Sequence, residues 1–85
     1  MKIDIMSKEE THRIRDISLN IQVEESWKLH KLSVIMIEEY DSKHKSFNYE
    51  VESFGWITSQ KEVNVRALET KIEEYLIDNA EDILS

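Results

Sequence analysis

Apolar and polar positions alternate without interruption from Ile17 to Glu24, with Ile17, Leu19, Ile21 and Val23 separated by Ser18, Asn20, Gln22 and Glu24. A period of two places the apolar set on one face of a pleated strand, so the pattern predicts a strand over residues 17 to 24. A second strand is expected over 32 to 40 and a third over 46 to 54, joined by the polar turn Asp41-Ser42-Lys43-His44-Lys45. Both flanks of that turn are rich in β-branched or aromatic residues, which predicts antiparallel pairing. In Val34-Ile35-Met36-Ile37 the apolar residues are consecutive, so both faces of that strand carry apolar groups. One face can meet a helix. The other needs a second element or a partner, and a homodimer is an economical cover.

From Lys61 onward the period lengthens: Val65, Leu68, Ile72, Tyr75, Leu76 and Ile83 form a helical stripe, broadened by Val63, Ile77 and Ala80. Ser59-Gln60-Lys61-Glu62 has capping-box spacing at its start, and Glu62 to Arg66 is a favourable i to i+4 pair. Asp78-Asn79 predicts a break, with Asp78 capping a short second helix. Glu81 and Asp82 oppose the dipole of a helix that ends near them. Ser7-Lys8-Glu9-Glu10 also has capping-box spacing and predicts a short helix near residues 8 to 16. The competing expectation there is a turn with a longer first strand, because Ile14 and Ile17 make a thin apolar face. The expected fold is therefore one compact α+β domain over residues 1 to 85. A three-stranded antiparallel sheet packs against a long C-terminal helix, and a short N-terminal helix precedes the strands. This helix-strand-strand-strand-helix order resembles that of double-stranded RNA-binding domains over roughly residues 7 to 85. The resemblance implies a basic cluster opening the last helix to contact phosphates, whereas Ser59-Gln60-Lys61-Glu62-Val63-Asn64 supplies only Lys61, beside Glu62.

Composition narrows the function classes. Acids number 18 against 11 Lys and Arg, a formal charge of -7, so repulsion from nucleic acid phosphates is the first expectation. The surplus is uneven: residues 1 to 25 carry six acids and four bases, 26 to 49 three and four, and 50 to 85 nine and three. The chain has no Cys, which excludes disulfides, thiolate nucleophiles and Cys-ligated metal sites and fits a reducing cytosol. Met1 to Met6 lacks the apolar region of a signal peptide, and Val34 to Ile37 is far too short to cross a bilayer, so neither secretion nor membrane binding is expected.

Candidate chemistry is sparse. His12, His30 and His44 lie 18 and 14 residues apart, without the close pairing of an HExxH-type metal site, so no metal or cofactor is expected. Glu50 and Glu52 share a face of a regular strand, as paired carboxylates for acid-base work would, but a solvated sheet face accounts for them equally. Lys28 and Lys31 beside Trp27, and Lys43 and Lys45 around His44, would form a basic patch if the fold brought them together. The stronger expectation is non-enzymatic protein binding. Acidic residues along the last helix, Glu69, Glu73 and Glu74 foremost, would meet a protein partner with a basic surface, while Trp27, Phe54 and Trp56 would form the desolvated centre. If that basic surface is a nucleic-acid-binding groove, the chain would compete for it as an inhibitor. The alternative expectation is a structural homodimerisation module. Phe54-Gly55-Trp56 also marks an irregular strand end, where Gly permits unusual dihedrals.

Overall fold

The computed structural model describes residues 1–10, 16–58 and 64–84. Four strands run in chain order, β1 (Lys2–Glu10), β2 (Asp16–Glu25), β3 (Lys28–Asp41) and β4 (Ser46–Trp56), followed by helices α1 (Val65–Asp78) and α2 (Ala80–Leu84). The sheet is an antiparallel meander in the order β1-β2-β3-β4.

The three-stranded expectation is therefore corrected to four strands, and the expected N-terminal helix gives way to a strand over Lys2–Glu10. Residues 11 to 15 of that expected helix lie outside the described residues. The cause is local. Ile3 and Ile5 alternate with Lys2 and Asp4, pair with Val23 and Ile21, and pack on the core. The Ser7 hydroxyl, instead of capping a helix, accepts a hydrogen bond from Asn20 Nδ2 at 2.9 Å. With a strand in first place, the topological resemblance to double-stranded RNA-binding domains also falls away.

One sheet face carries the core. Leu19, Ile21 and Val23 of β2 and Leu32, Val34 and Met36 of β3 are fully buried beneath Ile72 and Leu76 of α1, with Ile17, Leu68 and Ala80 beside them. Leu68, Ile72 and Leu76 recur on one side of α1, so the helix buries the stripe that the sequence predicts. The Asn64 side chain caps α1 by accepting from the Ala67 amide at 3.1 Å. The expected Ser59-to-Glu62 cap and the Glu62 to Arg66 pair involve residues outside the described set. The expected break occurs at Asn79, whose amide and side chain both donate to the Tyr75 carbonyl, at 3.1 and 2.8 Å. Because the chain restarts as α2, Glu81 and Asp82 sit in a first turn, where the dipole favours them, and not at a helix end. Lys8 Nζ donates to the Ile83 carbonyl at 3.1 Å, tying the end of α2 back to β1.

Both edge strands carry an irregularity. On β1 it falls at Met6, between the Ile5↔Ile21 and Ser7↔Asn20 pairs; on β4 it falls at Glu52, between Val51↔Met36 and Ser53↔Ile35. The extra residue at Glu52 shifts the phase by one, so that Tyr49 and Val51 on one side of it and Phe54 and Trp56 on the other all pack on the core. Gly55 itself is regularly paired with Ser33 and has no positive φ, so the irregularity lies three residues before the position the sequence suggested. Ile35 and Ile37 point to the opposite face and are half-buried. β1 extends the sheet beside β2 and leaves that face uncovered among the described residues.

Candidate functional site

The two turns of the meander set the geometry of the surface. At one end, Glu25↔Lys28 closes a two-residue hairpin over Ser26 and Trp27, both with positive φ (51° and 66°), the pattern of a type I′ turn. Trp27 points away from the fold and is 97% exposed. At the other end, Asp41 organises the β3–β4 turn: its Oδ1 accepts from the amides of Lys43 and His44 at 2.9 and 3.3 Å, and its Oδ2 bonds His44 Nδ1 at 2.7 Å. The His44 ring and then its amide hold the Asp41 carboxyl below its ordinary value; desolvation opposes them, and the Lys43 amide adds a lesser lowering. The 14-residue β3 separates these turns along a molecule 43 Å in its longest dimension. Lys28 and Lys31 therefore do not join Lys43 and Lys45 in one basic patch.

The six expected contact residues separate in the same way. Trp27 stands at the hairpin tip, where it lines a shallow cleft with Met1, Lys2 and Glu24. Phe54 and Trp56 are half-buried against the core, and Trp56 Nε1 donates to Glu69 Oε2 at 2.7 Å, so Glu69 fastens β4 to α1. Glu73 is half-buried and Glu74 exposed on the same helix. Of the histidines, His44 lies in the turn, His12 lies outside the described residues, and His30 is 3% exposed, with its ring edge-on to Trp56 at 5.9 Å. No group of three or more metal-ligating side chains occurs among the described residues. Glu50 and Glu52 are both exposed, with the β4 bulge at the second of them.

A groove of about 720 Å³ opens where α1 turns into α2 above the start of β4. Phe47, Tyr49 and Ile77 give it an apolar floor, and Asp78, Glu81 and Asp82 give it an acidic wall. Phe47 (51% exposed) also stacks at a tilt on Tyr40 (47% exposed), with ring centroids 5.1 Å apart, leaving an aromatic pair at its margin. Burial pushes the Tyr49 phenol above its ordinary value. The charge of Glu38, its hydrogen bond to the phenol, and the charge of Glu81 act in the same direction. Carboxylates around exposed aromatic rings suit a cationic side chain, which gains both ion pairing and the attraction of a ring face. The sequence reading missed this site because the start of β4 and residues 77 to 82 are far apart in the chain and meet only in the folded molecule. The density of acids in the final third was its one visible sign.

No helix among the described residues is long and apolar enough to cross a membrane. Comparison with protein-family models, with curated proteins and with solved structures finds no match to this chain.

Proposed function

We propose that this chain is a non-enzymatic, acidic protein-binding module that receives a basic protein surface in the groove between α1, α2 and β4. The observation that carries the reading is the exposed Tyr40–Phe47 pair bordering a wall of Asp78, Glu81 and Asp82. Aromatic groups supply a desolvated centre, and the carboxylates steer and orient an arginine- or lysine-rich partner. Where that partner's basic surface serves nucleic acid, the carboxylates take the place of phosphates and the module inhibits by occupancy. The cysteine-free composition fits action in the reducing cytosol. Glu69 is engaged by Trp56, so the groove carries more of the recognition than the α1 face with Glu69, Glu73 and Glu74.

A labelled oligoarginine peptide tests this at two ionic strengths. The variant Asp78→Asn/Glu81→Gln/Asp82→Asn and the variant Glu69→Gln/Glu73→Gln/Glu74→Gln remove the same charge from the molecule. Docking in the groove requires the first to lose roughly tenfold or more in affinity, on the order of 1.4 kcal/mol, while the second stays close to the parent. Equal losses in both would reduce the interaction to overall charge and remove the groove as its site.

A further inference from the structure

Among the described residues, Oε2 of Glu25 and both ring nitrogens of His30 are buried without a hydrogen-bond partner. The register brings them together. His30 pairs with Val23 and Glu25 with Lys28, so Glu25 is the diagonal neighbour of His30 on the core-facing side of the β2–β3 hairpin. Diagonal neighbours stand about 7–8 Å apart, a gap that glutamate and imidazole side chains close by turning toward each other. In this structure they do not meet, and each keeps a buried polar atom unsatisfied, which folded proteins rarely tolerate.

A proton on the imidazole changes that balance. The ring then carries two N–H donors and no acceptor, and a charge-assisted bond to a carboxylate is stronger than a neutral one. The other groups facing the ring offer it little. Glu69 of α1 is engaged by Trp56 Nε1 at 2.7 Å, and Trp56 itself lies edge-on to His30. Lys28 of β3 is a cation, β4 has no charged residue between Glu52 and Trp56, and β1 contributes Ile3 and Ile5 to the core. Glu25 is left as the acceptor. It directly precedes Ser26 and Trp27, whose φ values of 51° and 66° make the turn a strained segment, and strained segments recur where a structure switches between two arrangements.

We infer that Glu25 and His30 form a proton-operated latch in the β2–β3 hairpin: an imidazole that takes a proton from solvent draws the Glu25 carboxylate onto it, and that movement re-sets the turn presenting Trp27. The latch makes the exposed indole at the tip responsive to mild acid. It is independent of the groove at the other end of the sheet.

Nuclear magnetic resonance of the whole chain, taken from pH 8 to pH 5, tests this. The His30 ring, the Glu25 carboxyl carbon and the amides of Ser26 and Trp27 should move with one shared midpoint. His44, in the distant β3–β4 turn, should move only its own surroundings and so acts as an internal control. Glu25→Gln keeps the side chain's size but removes the charge, and should abolish most of the Ser26 and Trp27 shift while the His30 ring still titrates. His30→Phe should leave both amides flat over the same range. The inference is overturned if the His30 ring takes up no proton by pH 5, or if it does so without Glu25 following. It is equally overturned if Ser26 and Trp27 move as far in Glu25→Gln as in the parent. Loss of the whole folded spectrum in the parent but not in His30→Phe would mean that the charged ring unfolds the core, and would also remove the latch.

Discussion

His30 lies within the core, and among the described residues neither ring nitrogen has a hydrogen-bond partner. A buried polar group without a partner costs about 1–3 kcal/mol, whereas the edge contact of its ring with Trp56 is favourable. His30→Phe keeps the ring and removes the two nitrogens, so urea denaturation should show stability raised by about 1 kcal/mol. A loss of about that size would mean that water satisfies the imidazole in solution. The sequence could not place this histidine, because its neighbours Leu29 and Lys31 are both exposed and only its phase with Leu32, Val34 and Met36 marks it as inward-facing. The same limit hid Trp27. Neither Ser26 nor Trp27 carries the glycine or asparagine signal of a type I′ turn, so nothing local announced the positive φ values that turn the indole outward. Gly55 was easier to notice than to interpret: a Cβ there would lie 2.7 Å from Ser33 Oγ, so close approach across the β3–β4 pair, and not an unusual dihedral, is what it accommodates.

Among the elements, β2 and α1 are legible because each repeats its period long enough to exclude the other kind of structure, and β3 and β4 because β-branched and aromatic residues flank one polar turn. β1 is not. Its alternation lasts only from Lys2 to Ile5, the bulge at Met6 then breaks the phase, and the capping-box spacing at Ser7 offers a helical alternative. In β4 the corresponding shift was visible as a change in spacing, from Phe47, Tyr49 and Val51 to Phe54 and Trp56. It is the number of residues at Glu52, and not the chemistry of Glu52, that keeps both sets on the core. Glu52→Ala should therefore change stability by about 0.5 kcal/mol or less, as an exposed substitution does. Deleting Glu52 forces either Phe54 and Trp56 or Tyr49 and Val51 to the wrong face, and should cost about 2–5 kcal/mol, the scale of removing large apolar groups from a core. Equal midpoints for the substitution and the deletion in chemical denaturation would show that β4 slips without penalty. The two bulges also twist both sheet edges away from regular pairing, which disfavours strand addition as a route to assembly.

At the scale of the molecule the acidic surplus is concentrated, and that concentration has a cost independent of any partner. Residues 50 to 85 hold nine of the 18 acids, and the turn at Asn79 brings Asp78, Glu81 and Asp82 to one wall of the groove, with Glu38 and Glu81 both acting on Tyr49 beside it. Like charges gathered on folding repel one another more than they do in the extended chain, so the native state carries a penalty that salt should relieve. The screening length is about 10 Å at 0.1 M salt and about 3 Å at 1 M, so sodium chloride should raise the thermal midpoint steeply at first and then level off. A slow linear rise would indicate a general solvent effect on burial instead. Asp78→Asn/Glu81→Gln/Asp82→Asn should begin at a higher midpoint in low salt and flatten the curve, because the repelling groups are gone. If that variant followed the parent's salt dependence without change, the groove would not be the seat of the repulsion. If it flattened as expected, the fold would be keeping a cluster that weakens it.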